Sequence, residues 1–410
     1  MKNKRRFILI IMVVVIMLLI VGITMYIIID KRKEREEDAV ALTTKEDLTT
    51  EFLEKVKVSD FIENLQGELT SDFEINTTKL GKTTVTFSYK SIRNKNKIKS
   101  FDIEVVDTTN PVIYMSNTMT VTKGSNKKLT DAILAGDNCD SNPTRIIEGD
   151  YDLNKVGNYN LKFIIKDASG NEASQKFILK VVEPSKGGNS NMNTGASSGK
   201  QFSECIENYK NDKTEIGIDV SKWQGEIDWQ AVKNAGAEFA IIRIGYQTDY
   251  DGENKEDEYF RKNIEGATKA GIKIGGYFYS YAKTAKEASE QAEWVIDKIS
   301  GYKLDLPVAF DWESWTSFSK CSMSFYDLNN NAKTFIKKLN DNGYKGSIYG
   351  SKNYLQTMWY ADEYEDVWLA HYTKQTDYKG NYQIWQMCDT GRIAGINGAV
   401  DIDIMRKGSY

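Results

Sequence analysis

Residues 274–313 read IGGYFYSYAKTAKEASEQAEWVIDKISGYKLDLPVAFDWE, and three segments separate within them. IGGYFYSY (274–281) and LPVAFDWE (306–313) are short apolar runs of strand length. Between them Thr284 is followed three residues later by Glu287, the capping-box spacing that opens a helix. Ala288, Ala292, Val295 and Ile299 then recur down one helical face, and Gly301 ends it. The unit reads strand, helix, strand.

The same alternation runs outward on both sides. Further strands are predicted at IGIDVS (216–221), FAIIRIG (239–245), SIYG (347–350), VWLA (367–370), YQIWQ (382–386) and AVDI (399–402). A second helix starts near Ser324 with Asp327 three residues on, buries Leu328, Ala332, Phe335, Ile336 and Leu339, and stops at Gly343. Alternation over about 200 residues predicts an α/β domain with a largely parallel sheet over 214–410. Eight strands fit a barrel, with little helix between the last three. In such barrels the chemistry lies at the C-terminal ends of the strands.

Four acids fall at or just past strand ends: Asp219 in IGIDVS, Asp311 and Glu313 in FDWE, and Asp401 in AVDID. In an extended chain Asp311 and Glu313 project to one side, about 6–7 Å apart at the backbone, while Trp312 faces the other way. A same-side Asp/Glu pair suits glycoside hydrolysis, in which one group protonates the leaving oxygen and the other stabilises charge, activates water or attacks. Their proximity should raise one pKa and keep Glu313 protonated near neutral pH. Any one such acid among 58 Asp and Glu reads best as a cap or a solvated loop residue, but four at four strand ends do not.

Composition removes the main rivals. A single histidine, His371, leaves no Ser-His-Asp, Cys-His or multi-histidine metal mechanism. None of Cys139, Cys205, Cys321 and Cys388 forms a C-x-x-C pair, so neither a metal nor any other cofactor is expected. A formal charge of −4 gives no field to attract nucleic acid.

Upstream, Phe7–Ile29 is an uncharged run long enough to span a bilayer, preceded by a basic leader over 1–6. It lacks the shorter core and cleavage site of a secretory signal, so a single-pass signal anchor is expected at 7–29, with the chain beyond residue 30 outside. Residues 50–184 contain a repeat: Gly81, Phe87 and Phe101 recur as Gly157, Phe163 and Phe177 at a constant offset of 76 (157−81). Earlier in each copy, KVSDFI (57–62) matches KLTDAI (128–133) at an offset of 71, so the second copy carries about five extra residues near Asp137 to Pro143. Alternating runs such as TTVTFSY (83–89) and YNLKFII (159–165) predict two small all-β, sandwich-like modules, 50–109 and 110–184. They read either as a stalk or as modules that bind the wall or a partner. A Gly-, Ser- and Asn-rich stretch over 185–203 predicts a flexible linker.

Two resemblances add to this reading. The segment GDYDLNKVGNYNLKFIIKDASGNEAS resembles bacterial immunoglobulin-like surface repeats. GIDVSKWQGEIDWQAVKNAGAEFAIIRIGY, KAGIKIGGYFYSY, LPVAFDWE and YQIWQMCDTGRIAGINGAVDID together resemble the glycoside hydrolase family 25 lysozymes. That second resemblance implies an irregular barrel of five β/α units plus three strands. It also implies hydrolysis of the β-1,4 bond between N-acetylmuramic acid and N-acetylglucosamine in peptidoglycan strands. By position, Glu313 resembles the family's general acid and Asp311 the carboxylate that stabilises the reacting centre or steers the substrate's acetamido group. Asp219 and Asp401 resemble the flanking acids, and Tyr277, Tyr279, Tyr349 and Trp385 would line the glycan groove. Asp403 departs from the family, which often has asparagine there. The alternative is a surface protein that binds peptidoglycan without cutting it; the intact four-acid set argues against that. A barrel-type chitinase would carry a longer acidic run than the single D-x-E here.

Overall fold

The computed structural model describes residues 2–92, 94–184 and 199–410, and the chain forms two compact units, Met1–Thr108 and Thr109–Tyr410. The first unit opens on one helix, Lys2–Ala41, whose large apolar side chains from Phe7 to Ile29 are exposed. By length and composition this helix suits a membrane crossing.

The first module then begins at Leu42, earlier than its apolar alternation suggested. A four-stranded sheet runs in the order Thr49–Glu51, Asn96–Val106, Gly81–Ser91, Gly67–Leu69, beside a two-stranded pair, Leu42–Thr44 with Ile62–Leu65. The second module opens the second unit with the same plan. Its sheet runs Thr144–Glu148, Gly157–Lys166, Glu172–Val182, Thr118–Thr122, and its pair joins Val112–Tyr114 to Leu134–Gly136. The long hairpins share one register: Gly81 faces Val105 as Gly157 faces Val181, each 76 residues on (157−81, 181−105). In the second hairpin Leu161, Phe163 and Ile165 point inward from alternate positions and pack on Leu129 and Ile133. The linker expected over 185–203 lies, for residues 185–198, outside the described residues. Its remainder is not linker. Residues 202–209 form a helix that buries Phe202 and Cys205 in the outer core of the last domain, because these are the apolar residues on one face of it.

In that domain the barrel strands are β1 (Thr214–Val220), β2 (Phe239–Gln247), β3 (Lys273–Tyr279), β4 (Val308–Asp311), β5 (Gly346–Ser351), β6 (Val367–Ala370), β7 (Ile384–Gly391) and β8 (Val400–Arg406), and a short strand, Asn254–Glu256, pairs antiparallel on the end of β2. Each of β1 to β6 pairs in parallel with the next. Strand β8 runs antiparallel to both β7 and β1, and so closes the sheet into a barrel. The helices α1 (Ala285–Ile299) and α2 (Phe325–Asp341) join β3 to β4 and β4 to β5, and the short α3 (Lys352–Thr357) follows β5.

The start of α2 carries a full capping box: Ser324 Oγ accepts from Asp327 N (3.1 Å), and Asp327 Oδ2 accepts from Ser324 N (2.8 Å). At α1 Thr284 accepts from Glu287 N, but Glu287 Oε2 reaches back to Lys283 N instead. Both helices bury the expected faces, with Ala288, Ala292, Val295 and Ile299 on α1 and Leu328, Ala332, Phe335 and Leu339 on α2. Only Ile336 stays half-buried. This outer layer forms one apolar core against the backs of the strands.

Candidate active site

Alternate residues of each strand point into the barrel, and the lining changes from apolar to ionisable along its axis. Phe239, Ile241, Ala309, Trp368, Ile384 and Met405 form an apolar interior cluster. Two residues further along the same strands come Arg243 after Ile241, Asp311 after Ala309 and Gln386 after Ile384. Period-two geometry therefore puts these polar groups on the inner face, one layer nearer the C-terminal end of the parallel strands.

The four predicted acids meet there. Asp219 and Asp401 are direct cross-strand partners in the β1–β8 ladder. Asp401 arrives at this end by a different route from the others: β8 is reversed, so the residue near its start reaches the face where β1 and β4 finish. Burial, followed by the charge of Glu313, raises Asp311 well above the ordinary carboxylate range, and burial raises Glu313 as well. Two carboxyl groups this close disfavour joint ionisation, so they titrate as a pair. Asp311 is buried at 4% exposure, whereas Glu313 keeps an exposed side chain at the mouth. Of the two, Glu313 is the one a substrate can reach.

A second acid pair lies deeper. Asp219 and Asp403 feel one another's charge, and Asp403 has no exposure at all. Trp368 Nε1 donates to Asp403 Oδ1 (2.8 Å), and Gln386 Nε2 donates to Asp219 Oδ2 (2.8 Å). Burial, followed by the Asp403 charge, raises Asp219 well above the ordinary range. Burial lifts Asp403 to about 7 and, with the charges of Asp219 and Asp389, Asp401 to about 9. Arg243, itself held by Asp257 through Nε (2.7 Å), supplies a buried positive charge that partly offsets the acids at Asp311.

The aromatic predictions divide. Tyr349 lines a cavity of about 280 Å³ together with Trp312, Glu313, Tyr354, His371 and Tyr372, and its hydroxyl donates to Gln386 Oε1 (2.8 Å). Tyr279 is half-buried beside Asp311 and Glu313, whose charges, after burial, push its phenol upward. Tyr277 packs inside the barrel, edge-on to Trp368 at 5.8 Å. Trp385 is not brought to this site. Its position between the inward-facing Ile384 and Gln386 turns it to the outer layer, where it meets Tyr209 edge-on and its Nε1 donates to His371 O (2.8 Å). His371 stands on the cavity rim with Nδ1 2.9 Å from Thr376 Oγ1.

Sequence reasoning passed over Arg243, Trp368 and Gln386, each a polar or amphipathic side chain at an inward position of an otherwise apolar strand. It also passed over Trp223, which lies four residues past Asp219 and is 77% exposed. The available signal was strand parity counted from the acids.

The sequence pattern of Glycosyl hydrolases family 25 matches residues 218–396. The uncharacterized protein YegX of Escherichia coli (strain K12) is 30% identical over 193 residues, which cover 46% of this chain and 68% of that protein. The autolytic lysozyme of Clostridium acetobutylicum is 29% identical over 194 residues, covering 47% of this chain and 56% of that enzyme. Among solved structures, a family 25 glycosyl hydrolase from Bacillus anthracis shares 23% identity, with 48% of this chain and 91% of that one covered at a TM-score of 0.41. The chain belongs to glycosyl hydrolases family 25 and is a glycoside hydrolase.

Proposed function

We propose that the chain is an N-acetylmuramidase that cleaves the β-1,4 bond between N-acetylmuramic acid and N-acetylglucosamine in peptidoglycan. The observation that carries this reading is the Asp311–Glu313 carboxyl pair, with one member buried and the other open at the mouth of the barrel. Glu313 donates the proton to the glycosidic oxygen. Asp311, fixed beneath it, tunes that proton and offsets positive charge as the anomeric carbon loses its leaving group. Asp219 and Asp401 hold the flanking negative potential, and Tyr279 and Tyr349 offer hydroxyls and ring edges to the glycan. The name of the Clostridium acetobutylicum relative, an autolytic lysozyme, supports the choice of substrate. The N-terminal helix tethers the enzyme to the cell membrane in a single pass, with the barrel outside, for remodelling or breakdown of the wall.

The test is digestion of purified peptidoglycan by the full-length chain and its Glu313→Gln variant, with identification of the new reducing ends. Reducing-end N-acetylmuramic acid from the parent, lost by about a hundredfold or more in the variant, is the expected result. Reducing-end N-acetylglucosamine would replace the proposed bond with its neighbour. A folded parent that sediments with peptidoglycan and releases nothing would make the protein a binding module.

A further inference from the structure

Glu313 sits on a segment with no regular secondary structure. Residues 312–314 are irregular, a 3-10 turn covers Trp315–Lys320, and Ser322 is held at a φ of +49°, in the left-handed region that costs a non-glycine residue energy. A general acid needs its position fixed to a fraction of an ångström, so some other part of the molecule must hold this loop.

The second β module does so. The five or so residues that lengthen this copy of the repeat fall between its strands Leu134–Gly136 and Thr144–Glu148, and the start of that insertion, with the strand pair before it, meets the barrel. Asp137 O accepts from Phe325 N (2.8 Å) and Asn138 O accepts from Tyr326 N (3.1 Å), satisfying two amides in the first turn of α2 that have no partner within the helix. Leu134 is buried in the outer core of the barrel. Gly136 approaches so closely that a Cβ there would stand 2.8 Å from the rings of Phe318 and Phe325. Phe318 in turn packs edge-on against Trp312 at 5.8 Å, and Trp312 lies between Asp311 and Glu313. From the neighbouring strand of the same module, Tyr114 Oη accepts from Asn353 Nδ2 (2.6 Å), and the ring of Tyr114 meets that of Tyr354 at 5.4 Å. Asn353 and Tyr354 line the same cavity as Glu313.

We propose that the second β module is a positioning element of the active site: through Gly136, Phe318 and Trp312 it clamps the 312–324 loop and so sets Glu313 over Asp311. A spacer would need only a linker; this module supplies packing and helix-capping bonds directly behind the acid. The length added to one copy of the repeat alone carries the two carbonyls that cap α2. As a reading of catalysis, this rests on the proposed peptidoglycan hydrolysis.

The experiment uses the full-length chain and two variants, Gly136→Leu, which drives a side chain into Phe318 and Phe325, and the milder Leu134→Ala. Circular dichroism establishes that each folds. Amide hydrogen exchange is read over 312–324, and kcat and KM are read on purified peptidoglycan. Faster exchange in 312–324 with β1 and β2 unchanged, together with a kcat about tenfold or more lower and KM within about twofold, is the expected result. An unchanged kcat in a folded variant whose loop exchanges faster would overturn the proposal and leave the module a spacer. Unchanged exchange in both variants would overturn it as well. A parent inactive on peptidoglycan would sink the functional reading instead, and the exchange data would still decide whether the module clamps the loop.

Discussion

Gln386 donates from Nε2 to Asp219 Oδ2 across 2.8 Å, and this one amide joins β7 to β1 inside the barrel. Its carbonyl oxygen accepts from two phenols, Tyr349 (2.8 Å) and Tyr372 (3.0 Å), both of which line the cavity with Glu313. A single side chain therefore sets the orientation of a buried acid and of two rings in the groove. Glutamine suits this place because it donates and accepts at once while adding no charge to a carboxylate cluster.

Replacing Gln386 by alanine strips a donor from a buried carboxylate and an acceptor from two hydroxyls. Buried groups left unpaired cost about 1–3 kcal/mol each, so we expect lower thermal stability and a kcat reduced by roughly tenfold or more. Gln386→Glu should be worse than alanine, since it sets another negative charge against Asp219. Melting curves and peptidoglycan digestion of both variants check this. Parent-like behaviour of Gln386→Ala would show that the bridge carries no weight.

Asp403 gives a pH-dependence whose sign is fixed. Its carboxyl is raised from an ordinary 3.8 to about 7 in the fold, so between those values the folded chain holds a proton that the unfolded chain has released. That contribution is fully present below about pH 4 and is lost as pH rises through about 7. Asp401, raised to about 9, prolongs the decline. Each proton held only by the folded state costs roughly 1.4 kcal/mol per pH unit of rise. Asp403→Asn retains an acceptor for Trp368 Nε1 and gains a donor toward Asp219, and it removes one of these protons. Thermal melts from pH 4 to 9 should fall less steeply for the variant than for the parent, and equal slopes would refute the assignment.

Phe335 tests the outer core. It is fully buried on α2, with its ring 5.2 Å from Phe310 on β4 and 6.4 Å from Phe278 on β3. Phe310 immediately precedes Asp311. Truncating such a ring leaves a cavity that the surrounding strands close only in part, so Phe335→Ala should cost about 3–5 kcal/mol. Equilibrium denaturation of the full-length chain is the measurement.

Trp223 stands exposed on the short turn after β1, capped by Ser221, and Gln224 in the same turn donates to Ala399 O beside β8. As a ring platform for a sugar it would contribute about 0.5–1.5 kcal/mol to binding, so Trp223→Ala should raise KM roughly two- to tenfold. With kcat within about twofold of the parent, the effect would lie in binding alone. A drop in kcat at constant KM would place Trp223 in the chemistry.

Sequence alone determined what local rules decide. The alternation of apolar strands with capped helices identified the barrel, because the faces of α1 and α2 and the parity of each strand follow from nearest-neighbour geometry. The Asp311-x-Glu313 spacing pointed to two carboxyls on one side, as an extended chain would place them. The offset of 76 anticipated the matching hairpin registers of the two modules. The tertiary structure decided whatever depends on residues far apart in the chain. The reversed β8 brings Asp401 opposite Asp219 and carries Asp403 beneath it. Barrel closure gathers Arg243, Trp368 and Gln386 around the acids, and the parity of β7 turns Trp385 away from them. No local signal marked the five extra residues of the second repeat as a contact with the loop that bears Glu313. That contact joins positions almost two hundred residues apart, and only packing of the folded chain brings them together.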